Sequence, residues 1–277
     1  MFREVLALFM TTLLSGTLYL NRNVEIGAQI QQADLVSRSL SSDKVTLNEP
    51  VIVNFTIHNS LSTPLNVDLG SGRRAGFWFA VIGPDGTESR VKPQMKGISR
   101  VGEMTVEPGQ TFTEGICMNE WFKFSVPGKY VVEVALDKPI WTEDGQSKIV
   151  KSNLSLEVLP RNTGRLKEFC EVQIERLLNS TSFEESSAIA ASLSYVTDEV
   201  AVPYLAQALT SNKMVESFAI EGLERIGNEE AVGLLISALD MRDALAPTLA
   251  KRSLQKIESE SANSALKERI KQAISGK

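Results

Sequence analysis

Two hydrophobic periods divide the chain. Between about residues 33 and 159 apolar positions recur every second residue: Val51, Val53, Phe55 and Ile57 face one way while Asn54, Thr56 and His58 face the other. That alternation predicts a strand buried on one face and wet on the other. Tyr130, Val132, Val134 and Leu136 repeat the pattern, as do Leu154, Leu156 and Val158. The run Phe77-Trp78-Phe79-Ala80-Val81-Ile82 ends in Gly83-Pro84-Asp85-Gly86, whose proline and glycines suit a reversal, so a hairpin to residues 87–91 is predicted. Several short strands with turn signals and no helical pattern between them predict an antiparallel β-sandwich.

After Leu159-Pro160-Arg161-Asn162-Thr163-Gly164 the period lengthens, and Leu166, Phe169, Cys170, Ile174, Leu177 and Leu178 form the stripe of a first helix. The short connection predicts a helix packed on its neighbours and a fixed pair of units. Residues 183–274 then carry a helical pattern that recurs about every thirty residues. Val215, Phe218, Ala219, Gly222, Leu223 and Ile226 share one helix face, and the same pattern recurs at Ala188, Ile189, Ser192, Leu193 and Val196 and at Ala246, Leu249, Ala250, Ser253, Leu254 and Ile257. The small residue at Ser192, Gly222 and Ser253 predicts close approach of neighbouring helices. Asp198, Asn228 and Ser259 stand where each second helix needs an N-cap, and each is followed by an acid, Glu199, Glu229 or Glu260, favoured by the helix dipole. The second stripe reads Ala201-Val202-Leu205-Ala208-Leu209, then Ala231-Val232-Leu235-Ala238-Leu239, and decays to Ala262, Leu266 and Ile270, as a terminal unit requires.

Two resemblances follow. Leu47-Asn48-Glu49-Pro50, His58-Asn59 and Val126-Pro127-Gly128-Lys129-Tyr130 resemble the turns and strand starts of immunoglobulin-like sandwiches in bacterial envelope proteins, and more distantly the sandwich of the BsuPI type of proteinase inhibitor. The repeat, with Ala201-Val202-Pro203 opening a second helix, resembles the HEAT repeat family of α-solenoids in a short bacterial form. The expected fold is therefore multidomain, all-β plus all-α: an antiparallel immunoglobulin-like β-sandwich over residues 29–160, a linker and packing helix over 161–182, and a short HEAT-like α-solenoid over 183–277. The HEAT resemblance implies protein or peptide binding on the solenoid surface.

Residues 5–20 are an uncharged, mostly apolar run behind Arg3, shorter than the roughly 20 residues of a membrane-crossing helix. An export signal over residues 1–28 is expected, with Ile26-Gly27-Ala28 as a cleavage site and an uncleaved anchor as its rival. This places the chain in the periplasm, outside the cell, or anchored facing outward.

Composition narrows the chemistry. A net charge of −5 argues against nucleic acid as a partner, and any membrane contact is assigned to the N-terminal anchor. One histidine, His58, and two cysteines without a CxxC pair leave no metal site, no cofactor and no catalytic set to assemble, so a non-enzymatic chain is expected. Cys117 and Cys170 could be joined as a disulfide clamping helix to sandwich or remain two buried thiols; the sequence supports both readings equally. Candidate partner-binding residues are Arg73 and Arg74, in a basic stretch with Arg90, Lys92, Lys96 and Arg100; Trp121, beside Phe122 and Phe124; and Tyr204 and Leu234, at equivalent places beside the second-helix stripe. The expected function is a protein- or peptide-binding scaffold or adaptor of the cell envelope with an unidentified partner, the alternative being a proteinase inhibitor acting through a sandwich loop.

Overall fold

A computed structural model of the chain describes residues 36–70, 75–92, 102–145, 147–211, 213–242 and 245–276. The expected export signal lies outside these residues. A β-rich region comes first, made of β1 (Val36–Leu40), β2 (Lys44–Thr46), β3 (Ile52–His58), β4 (Leu65–Asp68), β5 (Phe77–Ile82), β6 (Glu88–Val91), β7 (Glu103–Val106), β8 (Thr111–Cys117), β9 (Gly128–Leu136), β10 (Ile140–Thr142), β11 (Ser147–Lys148) and β12 (Lys151–Leu159). Seven helices follow among the described residues: α1 (Thr163–Asn179), α2 (Phe183–Ser194), α3 (Val202–Leu209), α4 (Glu216–Ile226), α5 (Glu229–Ala238), α6 (Ala246–Glu260) and α7 (Ser264–Ser275). The coarse division into an all-β part and an all-α part therefore holds.

The immunoglobulin-like sandwich is corrected. The described strands fall into three sheets, ordered β1-β3-β8, β11-β10-β4-β7 and β2-β12-β9-β5-β6, that do not close into a sandwich. All pairings are antiparallel except β2 with β12, where Val45 faces Val158 in a parallel register. The reason lies in what alternation specifies: which face is buried, not which strand is the neighbour. Thus β7 and β8 follow one another across a turn at Gly109 yet pair with β4 and β3 in different sheets.

Within each sheet the buried sets are those of the alternation. Val53, Phe55 and Ile57 of β3 are fully buried, and the β5–β6 hairpin closes with the Gly83 amide donating to the Thr87 carbonyl at 2.9 Å. One apolar core joins the sheets, with Phe55 set edge-on against Phe77 at 5.0 Å.

The helices form two layers, α2, α4 and α6 in one and α1, α3, α5 and α7 in the other, each packing on the next across and within the layers. Local chemistry sets their ends. Asn162 and Ser182 cap α1 and α2 through Arg165 N and Glu185 N, and Asn228 caps α5 through Ala231 N at 2.9 Å. Gly227, in the left-handed conformation (φ 61°), ends α4. Two of the expected caps differ. Asp198 caps a 3-10 turn, Glu199–Ala201, that leads into α3, and Ser259 lies inside α6 while Asn263 caps α7. No helix among the described residues is long and apolar enough to cross a membrane.

Candidate functional site

The second-layer helices α3 and α5 lie side by side, and between them runs a groove. Its first half is lined by Pro203 and Tyr204 of α3, Glu230 of α5, and Arg161, Lys167 and Glu199, with a volume of about 390 Å³. One helical turn further on, Ala206, Leu209 and Thr210 face Leu234, Ala238 and Met241 around a second hollow of about 460 Å³. Pro203 and Gln207, and Glu230 and Leu234, are four residues apart on their helices, so the two hollows succeed one another along the same pair of walls. One end is charged and the other apolar.

The sequence candidates Tyr204 and Leu234 are both in this groove. Tyr204 is mostly buried, its hydroxyl donating to Glu171 Oε1 at 3.3 Å, and burial beside that carboxylate raises its pKa. Leu234 is half-buried and forms the apolar wall. Trp121 is elsewhere, stacked on Phe79 in the β-rich region at 6.0 Å, and takes no part. Arg73 and Arg74 lie outside the described residues, as do Lys96 and Arg100; Arg90 pairs with Glu88 and Lys92 with Asp137.

Of the two readings of Cys117 and Cys170, the structure has the buried thiols, with no disulfide joining them. Alternation sends Ile116 and Met118 into the β core and leaves Cys117 at the end of β8, its Sγ 3.9 Å from Asn119 Oδ1. Cys170 sits within the helical core, where burial first, then the charges of Asp198 and Glu171, push its thiol up to about 12. It is a thiol, not a thiolate, at neutral pH. His58 is exposed at the end of β3, its Nδ1 2.9 Å from Thr111 Oγ1. Among the described residues no group of three or more His, Cys, Asp or Glu is placed to hold a metal ion.

The charged end of the groove is also where the two parts of the chain meet. Asp198, only 2% exposed, accepts from Arg161 Nε at 2.6 Å and Nη2 at 2.9 Å, and from Asn48 Nδ2 at 3.1 Å. Beside it Arg165 of α1 donates to both oxygens of the buried Glu49, at 2.7 and 3.2 Å, and to the Lys44 carbonyl. Such two-pronged pairs fix orientation as well as energy. The Leu47-Asn48-Glu49-Pro50 turn is therefore the docking point for the helices. Asn48 takes a left-handed φ of 71°, which its short polar side chain tolerates, and this lets its backbone and amide both face Thr197 and Asp198. Sequence reading did not bring these five residues, Asn48, Glu49, Arg161, Arg165 and Asp198, together as a junction, and gave Asp198 only as a helix cap; Arg161 and Arg165, four apart across the boundary, were the available signal.

The Arg161 hydrogen bonds hold the Asp198 carboxyl below its ordinary 3.8, against its burial, with Val200 N–H and Asn48 assisting. A depressed folded-state value means that the unfolded chain takes up the proton first, so this stabilisation is present above about pH 4 and lost as pH falls through the folded value. Thermal midpoints between pH 5 and 3 are accordingly expected to fall less steeply in Asp198→Asn than in the unaltered chain. Parallel slopes would show that Asp198 does not titrate in the junction.

No family model matches the chain, and no curated protein matches it. Among solved structures it is distantly similar to the sporulation control protein Spo0M of Bacillus subtilis, at 16% identity over 51% of this chain and 54% of that one, with a TM-score of 0.25. The alkylpurine DNA glycosylase AlkC of Pseudomonas fluorescens shares 13% identity over 45% of this chain and 30% of its own, at 0.25. A β-glucosidase of Listeria innocua shares 14% over 53% of this chain and 20% of its own, at 0.24. The chain spans about half or less of each. These findings correct two expectations. Membership of the HEAT repeat family is not supported, since no family model matches and the structural likenesses are too distant to carry one. The expectation of a non-enzymatic chain is not supported either: two of the similar structures are enzymes, and at these scores they carry no evidence of activity or of its absence to the chain.

Proposed function

We propose that the chain is a peptide- or protein-binding adaptor of the cell envelope, and that the groove between α3 and α5 receives an extended peptide. The observation that carries this is the succession of a charged hollow and an apolar one along two neighbouring helices, since clefts that combine apolar walls with a few polar groups are where ligands bind. The β-rich region supports the groove from one end through Arg161 and Arg165, giving it a fixed floor. Export rests on residues 5–20, an apolar run behind Arg3.

Panning a random peptide library against the full chain, followed by calorimetric titration of the enriched peptides, tests the reading. Leu234→Gln is expected to weaken those peptides by about tenfold or more, the size of losing one apolar anchor of about 1.5 kcal/mol, with the thermal midpoint little changed. Failure to enrich any peptide, or equal affinity in the variant, would overturn it.

A further inference from the structure

The ligand class follows from the charges that line the groove. On the α1 side both cations are engaged within the chain: Arg161 with Asp198 at 2.6 Å and Glu199 at 3.6 Å, and Lys167 with Glu171 at 3.7 Å. Across from them Glu230 stands exposed in the first turn of α5, joined by no ion pair or hydrogen bond to another described residue. Glu199, whose side chain is 73% exposed, shares Arg161 with Asp198, at 3.6 Å against 2.6 Å, so two acids meet one cation. The charge left unanswered in the hollow is therefore negative. The dipole of α5 favours an acid in its first turn, but the dipole does not require that the acid line a hollow.

Distances along the helix set the spacing. From Glu230 to Leu234 is one turn and to Ala238 two, so about 6–12 Å separates the carboxylate from the apolar seat between Leu209, Leu234 and Met241. An extended peptide advances about 3.3 Å per residue, so two to four positions cover that span.

We propose that the groove selects peptides in which a large apolar residue lies two to four positions from a lysine or arginine, the apolar side chain between α3 and α5 and the cation at Glu230 and Glu199. This rests on the peptide-binding reading above and adds to it the chemistry of the partner. The net charge of −5 favours the approach of such a ligand at low salt.

The test uses the full chain and three labelled decapeptides, Leu-Ser-Ser-Lys, Leu-Ser-Ser-Glu and Ser-Ser-Ser-Lys cores in one neutral frame, measured by fluorescence anisotropy at low and high salt. The first is expected to bind about fivefold or more tighter than the second, the gap to shrink with salt, and Glu230→Lys to abolish or reverse it while leaving the fold intact by circular dichroism. Equal binding of the lysine and glutamate peptides, or a preference unchanged in Glu230→Lys, overturns the proposal. If both leucine peptides bind alike and both are lost in Leu234→Gln, the peptide-binding reading survives and only the charge preference fails. If none binds, both fail.

Discussion

Replacing Gly222 by leucine is expected to lower the thermal midpoint by about 4–10 °C, whereas Gly233→Ala is expected to leave it level or raise it slightly. Both glycines are inside helices, α4 and α5, where a side chain with good helix propensity gains up to roughly 1 kcal/mol over glycine. The difference is what the new carbon meets. At Gly222 a Cβ would stand 2.8 Å from Leu205 Cδ2 and 3.0 Å from the Cα of Ser194. Leu205 is fully buried, and the end of α2 at Ser194 is held by Arg225, whose Nη1 donates to the Ser194 carbonyl at 3.1 Å. Neither neighbour has room to retreat, so overpacking of about 1–3 kcal/mol, at the upper end for leucine, exceeds the propensity gain. At Gly233 the nearest atom is Arg269 Nη2 at 3.2 Å, the tip of an exposed side chain that swings aside. Circular dichroism melts of the two variants decide the matter. Shifts of the same sign would mean that helix propensity, not the approach of α2 and α3 to α4, governs Gly222.

Gly222 also illustrates what was legible beforehand. A small residue recurring at Ser192, Gly222 and Ser253 marks close approach, and all three are buried. The helix faces and the buried faces of β3 and β9 followed from periodicity because burial of an apolar face is a one-dimensional property. Strand pairing is not: nothing in β7 or β8 says that consecutive strands part into different sheets. Caps were half legible. Asn228 stands directly before its helix, but Ser259 competes with Asn263 four residues on, and α6 simply continues one turn further. The groove was legible only as two equivalent positions, Tyr204 and Leu234. That they line successive hollows of one groove, and that Glu230 stands a turn from Leu234, depends on how far apart α3 and α5 lie. The junction was least legible, since Glu49 and Arg165 are more than a hundred residues apart and each reads as an ordinary surface charge until the fold buries the first.

Cutting that junction pair is expected to free the β-rich region from the helices before either part unfolds. Glu49 is 8% exposed and Arg165 34%, so removing the arginine leaves a buried carboxylate whose remaining partner is the Thr46 amide at 2.9 Å. An exposed pair of this kind contributes little, but one whose acid is desolvated costs more to break than to keep. A double-mutant cycle of Arg165→Ala with Glu49→Gln is therefore expected to give a coupling of about 0.5–3 kcal/mol. The same loss has a positional readout. Arg161 lies in the short connection between β12 and α1, and its guanidinium is held against Asp198, so in the intact chain the peptide bond after it is a poor substrate for trypsin. In Arg165→Ala, cleavage after Arg161 is expected to accelerate while both cores stay resistant, giving two stable fragments. Asn48→Gly probes the other strap, because glycine keeps the left-handed φ of 71° and removes only the side-chain amide, which donates to Asp198 and accepts from the Thr197 hydroxyl. It is expected to raise the cleavage rate as well, by less than Arg165→Ala, since two hydrogen bonds are lost where the arginine loses four, two of them to a buried carboxylate. An unchanged rate in both variants, or degradation of the whole chain without a two-fragment stage, would mean that these polar straps do not hold the two parts together.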